Sequence, residues 1–132
     1  MWPYTRFAVR SFPVLYSGDV AASVAFYTRL GFGKVYRFPP EGEAGFLSLR
    51  LGEAQLGLVD RAWPEQELGI TVGSSPRGEL WVYVEDVDGV AEELRARGIP
   101  VLREPGDMPW GERIAYVADP DGNPVVLAVR PG

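Results

Sequence analysis

The chain has 132 residues, 46% of them hydrophobic and 23% charged, which supplies enough apolar material for one globular domain with a real core. It contains no Cys and no His, which excludes disulfides, thiol nucleophiles, Cys-based metal sites, Ser–His–Asp triads and two-His-one-carboxylate iron sites. The formal net charge of −5 argues against a nucleic-acid partner, whose phosphates call for a basic surface, and no run of apolar residues is long enough to suggest a membrane span.

Taken in chain order, "MWPYTRFAVR" lacks the continuous apolar stretch of a signal peptide, so a cytoplasmic protein is expected. Its three aromatics precede the first strand, and this arm is expected to pack on, or exchange with, a partner chain. "RSFPVLYS" reads as a strand and "GDVAASVAFYTRLGFGKV" (18–35) as a capped helix leading into the next strand. The strands "GKVYRF", "AGFLSLR" and "AQLGLVD" follow, separated by the turn signals "FPPEGE" and "RLGE". "RAWPEQELGITVGSSPRG" (61–78) is rich in Gly, Pro and Ser and reads as a linker. Beyond it come the strand "GELWVYVE", a second helix in "EDVDGVAEELRARGIPVL" (85–102), and the strands "IPVLRE", "ERIAYVA" and "NPVVLAV".

The two helical stretches align without gaps. Asp19 matches Asp86, Val20 matches Val87, Gly31 matches Gly98, and Phe32 matches Ile99. Each Asp is placed to accept from the free N–H groups of a helix start, and each Gly to end the helix in a left-handed residue. Val20, Val24 and Tyr27 form one apolar stripe; Val87, Val90, Ala91 and Leu94 form the other. Each half therefore reads β-α-β-β-β. The expected fold is α+β: a single domain (1–132) of two tandem modules, 7–60 and 79–130, joined by the linker 61–78. Its strands are expected to form a curved, partly open, barrel-like sheet around a cavity.

Alternation along the strands assigns side chains to faces. Leu47, Leu49, Leu56, Leu58, Leu80, Val82, Val125 and Leu127 go toward the helices. The other face receives Phe46, Gly57, Trp81, Tyr83 and Val126, with Glu79 at the start of its strand. Phe46, Trp81 and Tyr83 are accordingly the leading ligand-contact candidates, because aromatic faces stack flat molecules and attract cations. Met108 and Trp110, in a Gly/Pro-rich loop, offer a lid, a dimer contact or a hydrophobic plug. Tyr36, Phe38 and Trp63 are candidates for the rim. Glu79 can be read as a counter-ion, a residual base or a strand-start residue, with Arg10, Arg50, Arg113 and Arg130 as possible partners. Asp19, Asp86, Asp119 and Asp121 read as caps and turns.

"SGDVAASVAFYTRLGF" (17–32), "VEDVDGVAEELRARGIPV" (84–101) and "VADPDGNPVVL" (117–127) together resemble the vicinal oxygen chelate superfamily of glyoxalases, extradiol dioxygenases and bleomycin-resistance proteins. The resemblance implies four metal-ligand positions, which fall here on Phe12, Gly57, Glu79 and Val126. Three of those donate nothing to a metal, so no metal and no other cofactor is expected. "FPVLYSGDVAASVAFYTRLGFGKVY" (12–36) and "MPWGERIAYVADPDGN" (108–123) are most similar to the metal-free bleomycin-resistance type. That likeness implies sequestration of a flat apolar or cationic small molecule, antibiotics of the bleomycin type included, in an aromatic-lined cavity of a homodimer. Ten residues are expected to line it: Phe12, Tyr36, Phe38, Phe46, Trp63, Glu79, Trp81, Tyr83, Met108 and Trp110. Two other classes stay open: a degenerate-site lyase, isomerase or dioxygenase, and a non-catalytic interaction module.

Overall fold

A computed structural model describes residues 12–73, 75 and 79–130. The expected N-terminal arm, with Arg10, lies outside the described residues. The chain divides between Val72 and Gly73 into two compact units.

The first unit contains β1 (Val14–Ser17), α1 (Val20–Arg29), β2 (Gly33–Phe38), β3 (Phe46–Leu51), β4 (Ala54–Asp60) and α2 (Ala62–Leu68). The second contains β5 (Leu80–Tyr83), α3 (Val87–Ala96), β6 (Val101–Asp107), β7 (Arg113–Ala118) and β8 (Pro124–Val129). Each unit builds an open four-stranded mixed sheet, in the order β1-β4-β3-β2 and β5-β8-β7-β6. In both, the first strand runs parallel to the last and the remaining pairs are antiparallel. The α+β class and the β-α-β-β-β repeat stand, and hydrogen bonding divides the strands into two sheets.

The helix ends repeat atom for atom. Asp19 accepts from Ala22 N–H at 3.0 Å and Asp86 from Gly89 N–H at 3.0 Å. At the other end Phe32 N–H donates to the Tyr27 carbonyl and Ile99 N–H to the Leu94 carbonyl, both at 3.1 Å. Gly31 (φ 110°) and Gly98 (φ 83°) make the left-handed turn that brings those donors back, completing a Schellman motif in each unit. The predicted stripes are buried at Val20, Val24 and Tyr27 in α1 and at Val87, Ala91 and Leu94 in α3, while Val90 is half-buried. They close over Leu47, Leu49, Leu56 and Leu58 in the first unit, and over Val82, Val117, Val125 and Leu127 in the second. In α1 the stripe also buries a polar pair, Ser17 Oγ and Ser23 Oγ at 2.8 Å, which satisfy each other.

The segment read as a plain linker contains a helix. Ala62–Leu68 form α2, with Pro64 buried at its third position, and α2 belongs to the first unit. Arg61 N–H donates to the Ser17 carbonyl at 2.9 Å, and Glu65 accepts from Val72 N–H at 3.2 Å. Composition suggested an irregular connection. The early Pro is compatible with a first helical turn, where its missing N–H is not needed, and this outweighs the general Gly/Pro richness.

Candidate functional site

Cross-strand register fixes which residues share the face turned away from each helix. In the first unit Val14 pairs with Gly57, Ser48 pairs with Gly57 and Tyr36, and Phe46 pairs with Phe38 and Val59. Tyr36, Phe38 and Phe46 thus belong to one aromatic surface, with Tyr36 and Phe46 ring centroids 6.3 Å apart, and Phe12 lies two residues before β1. Trp63 sits on α2 rather than on the sheet.

Gly57 lies at the centre of this face, and its neighbours explain it. A Cβ added there would stand 2.9 Å from Val14 Cγ2 and 3.3 Å from Phe46 Cε1. The Phe46 ring and the Val14 side chain fill the space that a side chain at 57 would need. A metal ligand at this position is therefore excluded by packing as well as by chemistry. Of the four positions that the resemblance implies, Phe12, Gly57 and Val126 bring no donor atom, and Val126 is fully buried among carbon atoms. Glu79 alone does not make a divalent-cation site. Among the described residues no cluster of three His, Cys, Asp or Glu is present.

In the second unit the corresponding face is mixed. Ile114, Val126 and Ala128 form a small buried cluster, and Met108 and Tyr116 pack against it. Trp81 and Tyr83, registered opposite Val126 and Ala128, run along its edge with ring centroids 6.4 Å apart. Both remain open, at 38% and 55% exposure, and Trp110 reaches 60%. Glu79, Trp81, Tyr83, Met108 and Trp110 are brought to this unit's face and the turn beside it; the other five candidates belong to the first unit.

Glu112, which sequence reasoning passed over, ties the face together. It is 4% exposed and accepts from Tyr83 Oη at 2.8 Å, Trp110 Nε1 at 2.8 Å and Arg130 Nη2 at 3.2 Å. The bond from Tyr83, then that from Trp110, holds the Glu112 carboxyl below the usual carboxylate range against the opposing effect of burial. The same bond raises Tyr83, because ionising the phenol would set a phenolate against a carboxylate. Tyr116 is raised chiefly by burial and then by the charge and hydrogen bond of Glu79. Strand parity could have found Glu112, since it lies two residues before Ile114 and four before Tyr116, whose side chains pack on this face.

Two of the arginines offered as partners for Glu79 are engaged elsewhere. Arg113 donates to Asp88 at 2.7 Å and to Asp107 at 3.0 Å, and Arg130 donates to Glu112. Arg113 opens β7 with its side chain on the helix side, within reach of the first turn of α3, so it is carried away from the face that Glu79 adjoins. The group on which Glu79 acts is the Tyr116 hydroxyl, which its charge raises.

The first unit also holds an open concavity of about 1130 Å³ between α1, β2 and the β2–β3 loop. Asp19, Val24, Lys34, Arg37, Leu47 and Asp60 contribute to its wall, and none of the ten expected ligand residues does. It lies on the helix side of the sheet, where Leu47 points. Asp19 and Asp60 are engaged by the backbone N–H groups of Ala22 and Ala62, and the Arg37 guanidinium by the carbonyls of Pro39 and Gly42.

Residues 11–127 match the family model described as Glyoxalase/Bleomycin resistance protein/Dioxygenase superfamily. The chain is 30% identical over 120 residues to a bleomycin resistance protein of Klebsiella pneumoniae, covering 83% of each chain. It is 31% identical over 117 residues to a putative lactoylglutathione lyase of Brassica oleracea var. gemmifera, of whose length the match spans only 41%. A crystal structure of a glyoxalase/bleomycin resistance protein/dioxygenase from Nocardioides superimposes with a TM-score of 0.69 at 27% identity, covering 97% of this chain and 93% of that one.

Proposed function

The chain belongs to the glyoxalase/bleomycin resistance protein/dioxygenase superfamily, and within it we propose a metal-free binding protein that sequesters a flat, apolar or cationic small molecule against aromatic strand faces. One observation carries this reading. Trp81 and Tyr83 lie side by side and open, next to Val126 and Ala128, which are fully buried. Aromatic area left uncovered beside a closed apolar floor is what a flat ligand needs for stacking. The missing donor atoms at three of the four family positions support binding over metal chemistry. Antibiotics of the bleomycin type are one class of such ligand, and the Klebsiella relative bears that name. In this reading a second copy of the chain covers the open face and completes the cavity.

The test is titration with flat aromatic compounds, neutral and cationic, followed by tryptophan fluorescence and melting temperature. Quenching that is lost in Trp81→Ala supports the reading; a broad panel that moves neither signal rejects it. Sedimentation decides the dimer, and a monomeric mass at micromolar concentration removes it. A degenerate-site lyase, isomerase or dioxygenase is the second reading. Glu79 favours it, as a carboxylate whose charge bears on the Tyr116 phenol. It requires a bound divalent metal that is lost in Glu79→Ala.

A further inference from the structure

Glu112 is a buried carboxylate on a face whose rings are open. Its three donors come from three places in the chain: Tyr83 from β5, Trp110 from the turn before β7, and Arg130 from just after β8. The backbone joins in, since Met108 N–H donates to the Glu112 carbonyl at 2.7 Å and closes the turn that carries Trp110. Trp110 and Tyr83 are more than half exposed, yet the polar end of each is pinned inward to one side chain. An exposed Trp on a turn would otherwise sample several rotamers, and ordering it on binding would cost affinity.

We propose that Glu112 is a positioning residue: it holds the rings of Trp110 and Tyr83 in place as one preorganised wall of the ligand site, with Arg130 balancing its charge. The proposal rests on the binding reading above. A carboxylate suits this task because both of its oxygens only accept, so donors can approach from both sides. Oε1 takes Trp110, and Oε2 takes Tyr83 and Arg130. An amide cannot do the same. Its NH₂ group must face either the Trp110 N–H or the Arg130 guanidinium, and neither can accept.

The experiment compares wild type with Glu112→Gln, Tyr83→Phe and Trp110→Phe, with far-UV circular dichroism confirming the fold of each. Two readouts need no ligand. The first is phenol titration at 295 nm, with Tyr83 identified as the transition missing from Tyr83→Phe. The second is the near-UV dichroism of Trp110, identified by difference against Trp110→Phe. A third readout is affinity for thioflavin T, a flat cationic dye, and for Nile red, a flat neutral one. In Glu112→Gln the Tyr83 transition is expected to move down toward that of a free phenol, and the Trp110 dichroism to collapse. Affinity for both dyes is expected to fall about tenfold, the scale of a lost charge-assisted hydrogen bond. Unchanged titration and dichroism overturn the proposal. So does a change in both with dye affinity intact, which would make the knot purely structural.

Wild type that binds neither dye refutes the binding reading and the ligand role together, while the two ligand-free readouts still decide whether Glu112 anchors the rings. Should Glu112→Gln not fold, the double variant Tyr83→Phe/Trp110→Phe takes its place. Rings coupled through one carboxylate give non-additive losses of dye affinity, and additive losses overturn the proposal.

Discussion

Gly57→Ala tests the packing that separates this face from a metal site. In a strand interior, Ala in place of Gly gains about 0.5–1 kcal/mol from reduced freedom of the unfolded chain. Here the new Cβ meets Val14 Cγ2 at 2.9 Å and Phe46 at 3.3 and 3.4 Å, where relaxed carbon contacts stand at about 3.5–4.0 Å. Val14 sits on edge strand β1 and is exposed enough to turn, at about 0.5–1.5 kcal/mol for leaving its rotamer. Phe46 has less room, because Tyr36 lies against it. Overpacking of this kind costs about 1–3 kcal/mol, so the net expectation is a loss of about 0.5–2 kcal/mol. Val14→Ala removes the nearest offending atom. In a urea-unfolding double-mutant cycle the pair should couple favourably by about 1 kcal/mol, the double variant being less destabilised than the two single losses added together. Gly57→Ala as stable as wild type, or strictly additive behaviour, would refute the claim that Val14 and Phe46 close over Gly57.

Four further outcomes are expected. Asp19→Ala and Asp86→Ala should each cost about 1 kcal/mol in urea unfolding, and by similar amounts, because the two caps make the same bond at the same distance. The Arg113 hydrogen bonds hold Asp88 below the usual carboxylate range, so its contribution is complete above the unfolded carboxyl value and fades as pH falls through the lower folded one. The urea midpoint should therefore drop in acid, and Arg113→Met should flatten that drop. Manganese, nickel, zinc and ferrous iron should leave the melting temperature unchanged, whereas a metal-dependent rise would favour the enzyme reading. Glu79→Gln should weaken thioflavin T more than Nile red, since Glu112 already faces Arg130 and Glu79 is the exposed carboxylate beside the face.

The repeat was legible because its signals are local. An Asp cap, an apolar stripe and a left-handed Gly are each read within a few residues, and each recurs in the second unit with the same bond. Strand parity was nearly as informative, since Leu56, Leu58, Val82 and Leu127 are all buried on the side assigned to the helices. What escaped was set by partners distant in sequence. Glu112 is defined by Tyr83 and Arg130, 29 and 18 positions away, and nothing in "PWGER" alone names either. The same limit misassigned Arg113, whose partner Asp88 is 25 positions away on the first turn of α3. Helix α2 was missed for a different reason: a short segment with Pro near its start and Gly just beyond its end has the composition of a loop.

The duplication also shows where the two units have been free to differ. Their helix-facing sides keep one solution: a capped amphipathic helix over alternating Leu and Val. Their opposite faces do not. Register sets Gly57 beside Val14 and Ser48, and Val126 beside Trp81 and Tyr116, so Gly57 and Val126 hold equivalent places. In the first unit that place is empty of side chain and the neighbouring Phe46 fills it. In the second the place is filled by Val126, and the large rings stand at its border instead. The bulk therefore sits at different places on the two faces. The polar groups Glu79, Glu112 and Arg130 then accompany only the second arrangement. An unbonded carboxylate would be costly against the Phe46 surface, whereas the border rings Tyr83, Trp110 and Tyr116 each carry a donor that can satisfy one. The first face keeps a neutral polar pair, Ser48 and Gln55, among its rings, whereas the second holds its rings in fixed positions through a charged one.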